Sequence, residues 1–159
     1  MKKLLIISFA VVIALTATAL VLAQSPEPLG ITNKALGGSE LNEYTPGVHG
    51  GVGLNNIGLL VRTSGRVTYV DTTNQFFYID DGSALQDGSK KADNNPTTGV
   101  RVSYKDLAPG NMFNPPLVGQ YVAITGISST TQITLDDQST RIIPTLRPRR
   151  QDDMTIEQY

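Results

Sequence analysis

The sequence predicts an all-β protein, a five-stranded closed β-structure behind an extended N-terminal arm. Three observations carry that expectation. Residues 59–82, LLVRTSGRVTYVDTTNQFFYIDDG, read as two strands of period-2 alternation joined by a short polar turn. With 15 Gly and 9 Pro in 159 residues, the chain favours many turns and short strands. Gly and Pro break any helical period across residues 24–58, and at most one helical turn fits 105–118.

The chain opens with a separate segment. Lys2 and Lys3 precede an almost wholly apolar run over 4–22, and Val21-Leu22-Ala23 offers a small-residue cleavage site before Gln24. Residues 1–23 are therefore expected to be a secretory signal peptide. An uncleaved anchor is the rival, since the run approaches the ~20 residues that span a bilayer. No Cys follows it, which excludes a bacterial lipid anchor. Removing Lys2 and Lys3 with this segment leaves 11 basic and 14 acidic residues, a formal charge of −3. A general nucleic-acid binder usually carries the opposite sign. The chain has no Cys and no Trp. An exported protein without disulfides is held by its core, by a metal or by its neighbours. These features suit a bacterial protein, extracellular or periplasmic, with no stable membrane partner after cleavage.

Residues 24–58 form a Gly/Pro/Asn-rich arm studded with Leu29, Ile31, Leu36, Leu41, Tyr44, Val48, Val52, Leu54 and Ile57. A disordered spacer is poorer in such residues. The arm is expected to dock them, on its own domain or on a neighbouring copy as an added strand at a sheet edge. The first strand then places Val61, Thr63, Gly65, Val67 and Tyr69 at alternate positions, and the second covers 75–81. A long polar loop follows over 83–99, of a size that is often functional or mobile. Strands are expected over 100–104 and 119–128, with 131–135 extending the latter, and over 140–146. Pro144 puts that last one at an edge or bulge. The tail, 148–159, is polar and expected to fray, apart from whatever Met154, Ile156 and Tyr159 touch.

The residues Val61-x-Thr63-x-Gly65-x-Val67, Phe77-x-Ile79-x-Asp81-Gly82, Val100-x-Val102 and Gly119-x-x-Val122-x-Ile124-x-Gly126 resemble the OB-fold over about 58–147. That likeness implies a five-stranded Greek-key barrel, a scaffold that in many members binds oligonucleotides or oligosaccharides. Gly65 suits the sharp bend of a first strand that serves both sides of a barrel. The helix common between the third and fourth strands is replaced by a Pro-rich loop. With its PLG…ALGG arm before NNIGLLVRT, the whole looks like small secreted bacterial OB-domain proteins, a likeness that implies no activity.

Alternation sends Phe77, Ile79, Val100 and Val102 inward with Val61, Val67, Val122 and Ile124. It sends Arg62, Ser64, Arg66, Phe76, Tyr78, Arg101 and Ser103 outward. Arg62, Arg66, Phe76, Tyr78 and Arg101 are thus the candidate ligand or partner face. Bases stack on aromatic rings while arginines meet phosphates, and sugars use the same groups. The same face also suits a covering by the arm or a neighbouring subunit. His49, between Val48 and Gly50, reads as a polar loop residue. No HExxH, GxSxG, P-loop or Cys-based zinc pattern occurs. Asp80, Asp81 and Asp87 are a weak calcium candidate, better read as turn acids that accept from backbone amides. Lys90-Lys91 and the basic run at 147–150 read as solvated surface.

The sequence therefore points to a secreted, non-enzymatic structural or interaction protein with no cofactor. Its expected partners are other copies of itself, through the arm and sheet edges, as a fibre or surface assembly. The alternative is an OB-fold module for single-stranded nucleic acid or oligosaccharide.

Overall fold

The computed structural model describes residues 26–157. The expected signal peptide over 1–23 and Tyr159 of the tail lie outside them. The described chain is all-β, with two short 3₁₀ turns at Asn33–Ala35 and Gln151–Asp153. Its strands are β1 (Leu29–Gly30), β2 (Leu60–Asp71), β3 (Phe76–Asp80), β4 (Val100–Ser103), β5 (Tyr121–Thr134), β6 (Thr140–Arg147) and β7 (Met154–Glu157). They form one mixed sheet in the order β1-β2-β3-β4-β6-β5-β7, and an additional β2–β5 pairing closes five of them into a ring. Among the described residues no helix is long and apolar enough to cross a membrane.

β2 is the strand on which the ring turns. Its first half pairs antiparallel with β5, from Leu60↔Ile127 to Arg66↔Tyr121, and its second half pairs with β3, from Arg66↔Asp80 to Asp71↔Phe76. The handover falls at Gly65–Arg66. A Cβ on Gly65 would lie 2.7 Å from the Asp80 backbone carbonyl. Only glycine lets the two strands approach so closely at that corner. β4 and β6 run parallel through Arg101↔Thr145 and Val102↔Leu146. Pro144 sits one residue before that pairing begins, where β6 pairs with β5 through Thr130↔Pro144 and β4 has not yet joined.

The core lies inside the ring. Val61, Val67, Phe77, Ile79, Val122 and Ile124 all belong to one buried cluster, together with Val100, Val102 and Leu146. The interior set expected from alternation is thus the observed one. The Pro-rich loop between β4 and β5 contributes Phe113, stacked on Tyr104 at 5.2 Å and on Phe77 at 6.1 Å between ring centroids.

Alternation fails at one position. Val67 pairs with Ile79, yet Tyr69 pairs with Tyr78, so Thr68 is an extra residue in β2. Such a bulge moves every later side chain to the opposite face. Tyr69, expected to continue the inward set, points outward, and Val70 packs against the core instead.

Both ends of the described chain are tied to the ring. β1 adds in parallel to Val61 and Arg62, and the Ile31 N–H donates to the Arg62 carbonyl at 2.9 Å. Leu36 is fully buried in the core cluster. Asn56 locks the returning arm: its Oδ1 accepts from Gly37 N–H (2.9 Å) and Ser128 Oγ (2.7 Å), and its Nδ2 donates to Ala35 O (2.7 Å). Gly38 has a positive φ of 69°, and a Cβ there would meet Leu54 O at 2.1 Å. The tail also departs from expectation. Rather than fraying, Met154–Glu157 pairs antiparallel with Tyr121–Ile124 along the edge of β5 that β6 leaves open, and Met154 joins the core.

Candidate functional site

The structure divides the expected outer face in two, because β2 bends at Gly65. Phe76, Tyr78 and Arg101 stay together on β3 and β4. Arg62 lies on the separate β2–β5 face, beside Ser64, Tyr121 and Glu157. Arg66 is exposed near the bend, where its Nε donates to Gly119 O at 3.3 Å. The single five-residue surface is therefore corrected to a three-residue cluster plus two arginines elsewhere.

Tyr78 needs a second correction. It points away from the core, yet it is 0% exposed. The loop over 83–99 covers it. Tyr78 Oη donates to Asp87 Oδ2 at 2.9 Å, while Asp87 Oδ1 accepts from Ser89 N–H (2.8 Å) and Thr97 Oγ1 (3.3 Å). Thr68, the bulge residue, donates from its Oγ1 to Thr98 O at 2.6 Å and pins the returning end of the loop. Burial and the neighbouring Asp87 carboxylate push the Tyr78 phenol up to about 12.

Beside this clasp lies an open groove of about 670 Å³. Its floor is aromatic and cationic. The Arg101 guanidinium carbon sits 3.9 Å from the Phe76 ring centroid and 5.7 Å from that of Tyr78. Tyr69 flanks Phe76 at 6.1 Å, placed there by the bulge. Lys90, Lys91, Lys105 and Arg147 complete the lining, against the carboxylates of Asp71 and Asp106. Five cations thus face two anions in a chain whose overall formal charge is −1. Arg101 Nε is buried and has no hydrogen-bond partner among the described residues. Lys90 pairs with Asp136, but both side chains are exposed, and such a pair is weak enough to exchange for a ligand. Asp71 is held as a carboxylate. Burial raises its pKa, but hydrogen bonds from the Asn74 side chain and backbone outweigh that and lower it.

Three of the lining cations were in view in the sequence, Lys90, Lys91 and Arg147, but read as solvated surface. Lys105 and Tyr69 carried no signal of their own. The arm residues divide as well. Ile31, Leu36 and Val48 pack on their own chain, whereas Leu29, Leu41, Tyr44, Val52, Leu54 and Ile57 are exposed. His49 uses its backbone N–H, which donates to Ile142 O at 2.8 Å.

The calcium candidates are occupied by amides. Asp80 Oδ1 accepts from Ala84 N–H, and Asp81 accepts from Asn33 N–H and Ser83 N–H. Asp87 serves the Tyr78 clasp. No group of three or more His, Cys, Asp or Glu is placed to hold a metal among the described residues. No protein-family model matches the chain, and no curated protein matches it.

Proposed function

We propose that this chain is a secreted bacterial binding module, non-enzymatic, whose groove takes an anionic oligomer: a single-stranded nucleic acid or an acidic glycan. The supporting observation is the concentration of Lys90, Lys91, Arg101, Lys105 and Arg147 around the Tyr69–Phe76 pair. Repeated anionic groups would meet the cations, while a base or sugar ring would rest on Tyr69 or on the Arg101 guanidinium.

The same reading takes the closed ring as an OB-like Greek-key barrel. Support comes from the connectivity, in which the first ring strand pairs with both the second and the fourth. OB-folds bind ligands on the face of their second and third strands, near the loop joining the first two. The groove's lining supports that reading: Phe76 on β3, Arg101 and Ser103 on β4, Asn74 in the β2–β3 turn.

The test is titration of residues 24–159, which include every described residue, with a labelled oligothymidylate and an oligogalacturonate. Replacing Arg101 by Ala, or Lys91 and Lys105 together by Glu, lowers affinity at least about tenfold, with a steep salt dependence. Failure of the parent protein to bind either probe at low salt overturns the reading. Self-association is a second reading, favoured by the arm residues that remain exposed on an ordered backbone.

A further inference from the structure

One turn of the arm is hydrogen-bonded within itself and holds its large side chains in solvent. Over residues 40–45, Leu41 N–H donates to Thr45 O (3.1 Å), Thr45 N–H to Asn42 O (3.0 Å) and Tyr44 N–H to Asn42 Oδ1 (2.9 Å). The backbone is locked, yet its large side chains face water, with Tyr44 86% and Leu41 68% exposed. Glu40 and Glu43 flank them, also exposed and without an ion-pair partner among the described residues. A pre-formed turn that holds Leu and Tyr in solvent has the character of an interaction site.

The chemistry of this turn complements the groove. Two carboxylates and a phenol ring would face a lining of Lys91, Lys105 and Arg147 around Tyr69, Phe76 and Arg101. The turn does not line its own groove. Its base is fixed elsewhere, with Val48 buried and His49 N–H on β6. We infer that the 40–45 turn of one copy docks in the Tyr69–Phe76–Arg101 groove of a second copy. This rests on the groove being a site for anionic groups, and names the chain itself as one occupant. Turn and groove are different surfaces, so repetition of the contact is head-to-tail and yields open chains unless the rotation closes them. A soluble polyanion competes for the same cations.

The experiment is sedimentation velocity of residues 24–159 over a concentration series at low salt, with two variants. One disables the turn (Glu43→Lys with Tyr44→Ser), the other the groove (Lys91→Glu with Lys105→Glu). All four positions lie on the surface, and circular dichroism checks that both variants stay folded. The parent associates, and each variant alone weakens association at least about tenfold. An equimolar mixture of the two variants regains association, since the intact turn of one meets the intact groove of the other. Oligogalacturonate dissociates the parent species. A parent that stays monomeric overturns the inference, as does association that either variant leaves unchanged. If a monomeric parent still binds the polyanion through Arg101, the docking fails and the binding module stands. If association follows the turn and groove while no polyanion binds, the docking stands and the ligand reading fails.

Discussion

The hydrogen bond from Tyr78 Oη to Asp87 Oδ2, 2.9 Å long, joins an outward-pointing strand residue to a loop that covers it. That bond reverses the role of the ring. Instead of a stacking platform, Tyr78 is the anchor of a clasp. The loop it anchors also carries Lys90 and Lys91, so the clasp sets two of the groove's five cations. Arg141 braces it from β6, its Nη1 donating to Asp87 O at 3.1 Å.

Replacing Tyr78 by Phe keeps the buried ring and removes one donor. Asp87 retains Ser89 N–H and Thr97 Oγ1 but loses its partner at the ring. The expected loss is about 1–3 kcal/mol, read from urea unfolding. Protease cleavage within 83–99 becomes faster, and polyanion affinity falls because Lys90 and Lys91 are no longer held. Unchanged cleavage would show that the loop is held without Tyr78.

Alkali gives an independent reading of the same bond. The Tyr78 phenol is raised to about 12 by burial and by Asp87, so the folded state disfavours its ionisation. The stability from this group is fully present below about pH 10, the ordinary tyrosine value, and is lost as pH rises through the folded value. A late phenolate absorbance change is expected, coupled to loss of structure, to which Tyr104, also raised by burial and by Asp71, adds its share. In Tyr78→Phe the late change is smaller by one phenol.

The interior was legible because β2, β3 and β5 keep strict alternation wherever their ladders are regular. The groove was not, for reasons that are tertiary. Thr68 fits either face of a strand, so nothing at that position announces a bulge, and Tyr69 goes to the wrong side. Lys90, Lys105 and Arg147 sit on or beside three different connections, and only ring closure brings them together. Met154–Glu157 has too few apolar positions to read as a strand by itself. It pairs because β5 runs past β6 and leaves an edge open at Tyr121–Ile124.

The arm residues make contrasting predictions. Leu36 is in the core, so Leu36→Ala is expected to lose about 2–5 kcal/mol in thermal or urea unfolding. Leu41 faces solvent, and Leu41→Ala changes monomer stability by no more than about 0.5 kcal/mol. Removing residues 26–57 entirely takes Leu36, β1 and Asn56 from the ring. Such a truncation is expected to unfold, so a change in its oligomeric state would say nothing about docking.

Asp153 braces the turn that leads into the last strand. Its Oδ2 accepts from Arg149 N–H (2.7 Å) and Nε (3.1 Å), and its Oδ1 from Arg149 Nη2 (2.8 Å). Burial raises the carboxyl pKa, but these bonds outweigh it and the net shift is downward. A depressed folded value means that the stabilisation is present above the ordinary carboxylate range and disappears as pH falls through the folded value. Arg149 is about half exposed, so solvent screens the pair, and Asp153→Asn is expected to lose only about 1–2 kcal/mol. The loss concentrates at the chain end. Amide exchange in Met154–Glu157 accelerates in Asp153→Asn at neutral pH, and in the parent protein its protection weakens on acidification. Equal protection of β7 in both proteins at neutral pH would mean that the pairing with β5 holds the strand without this ion pair.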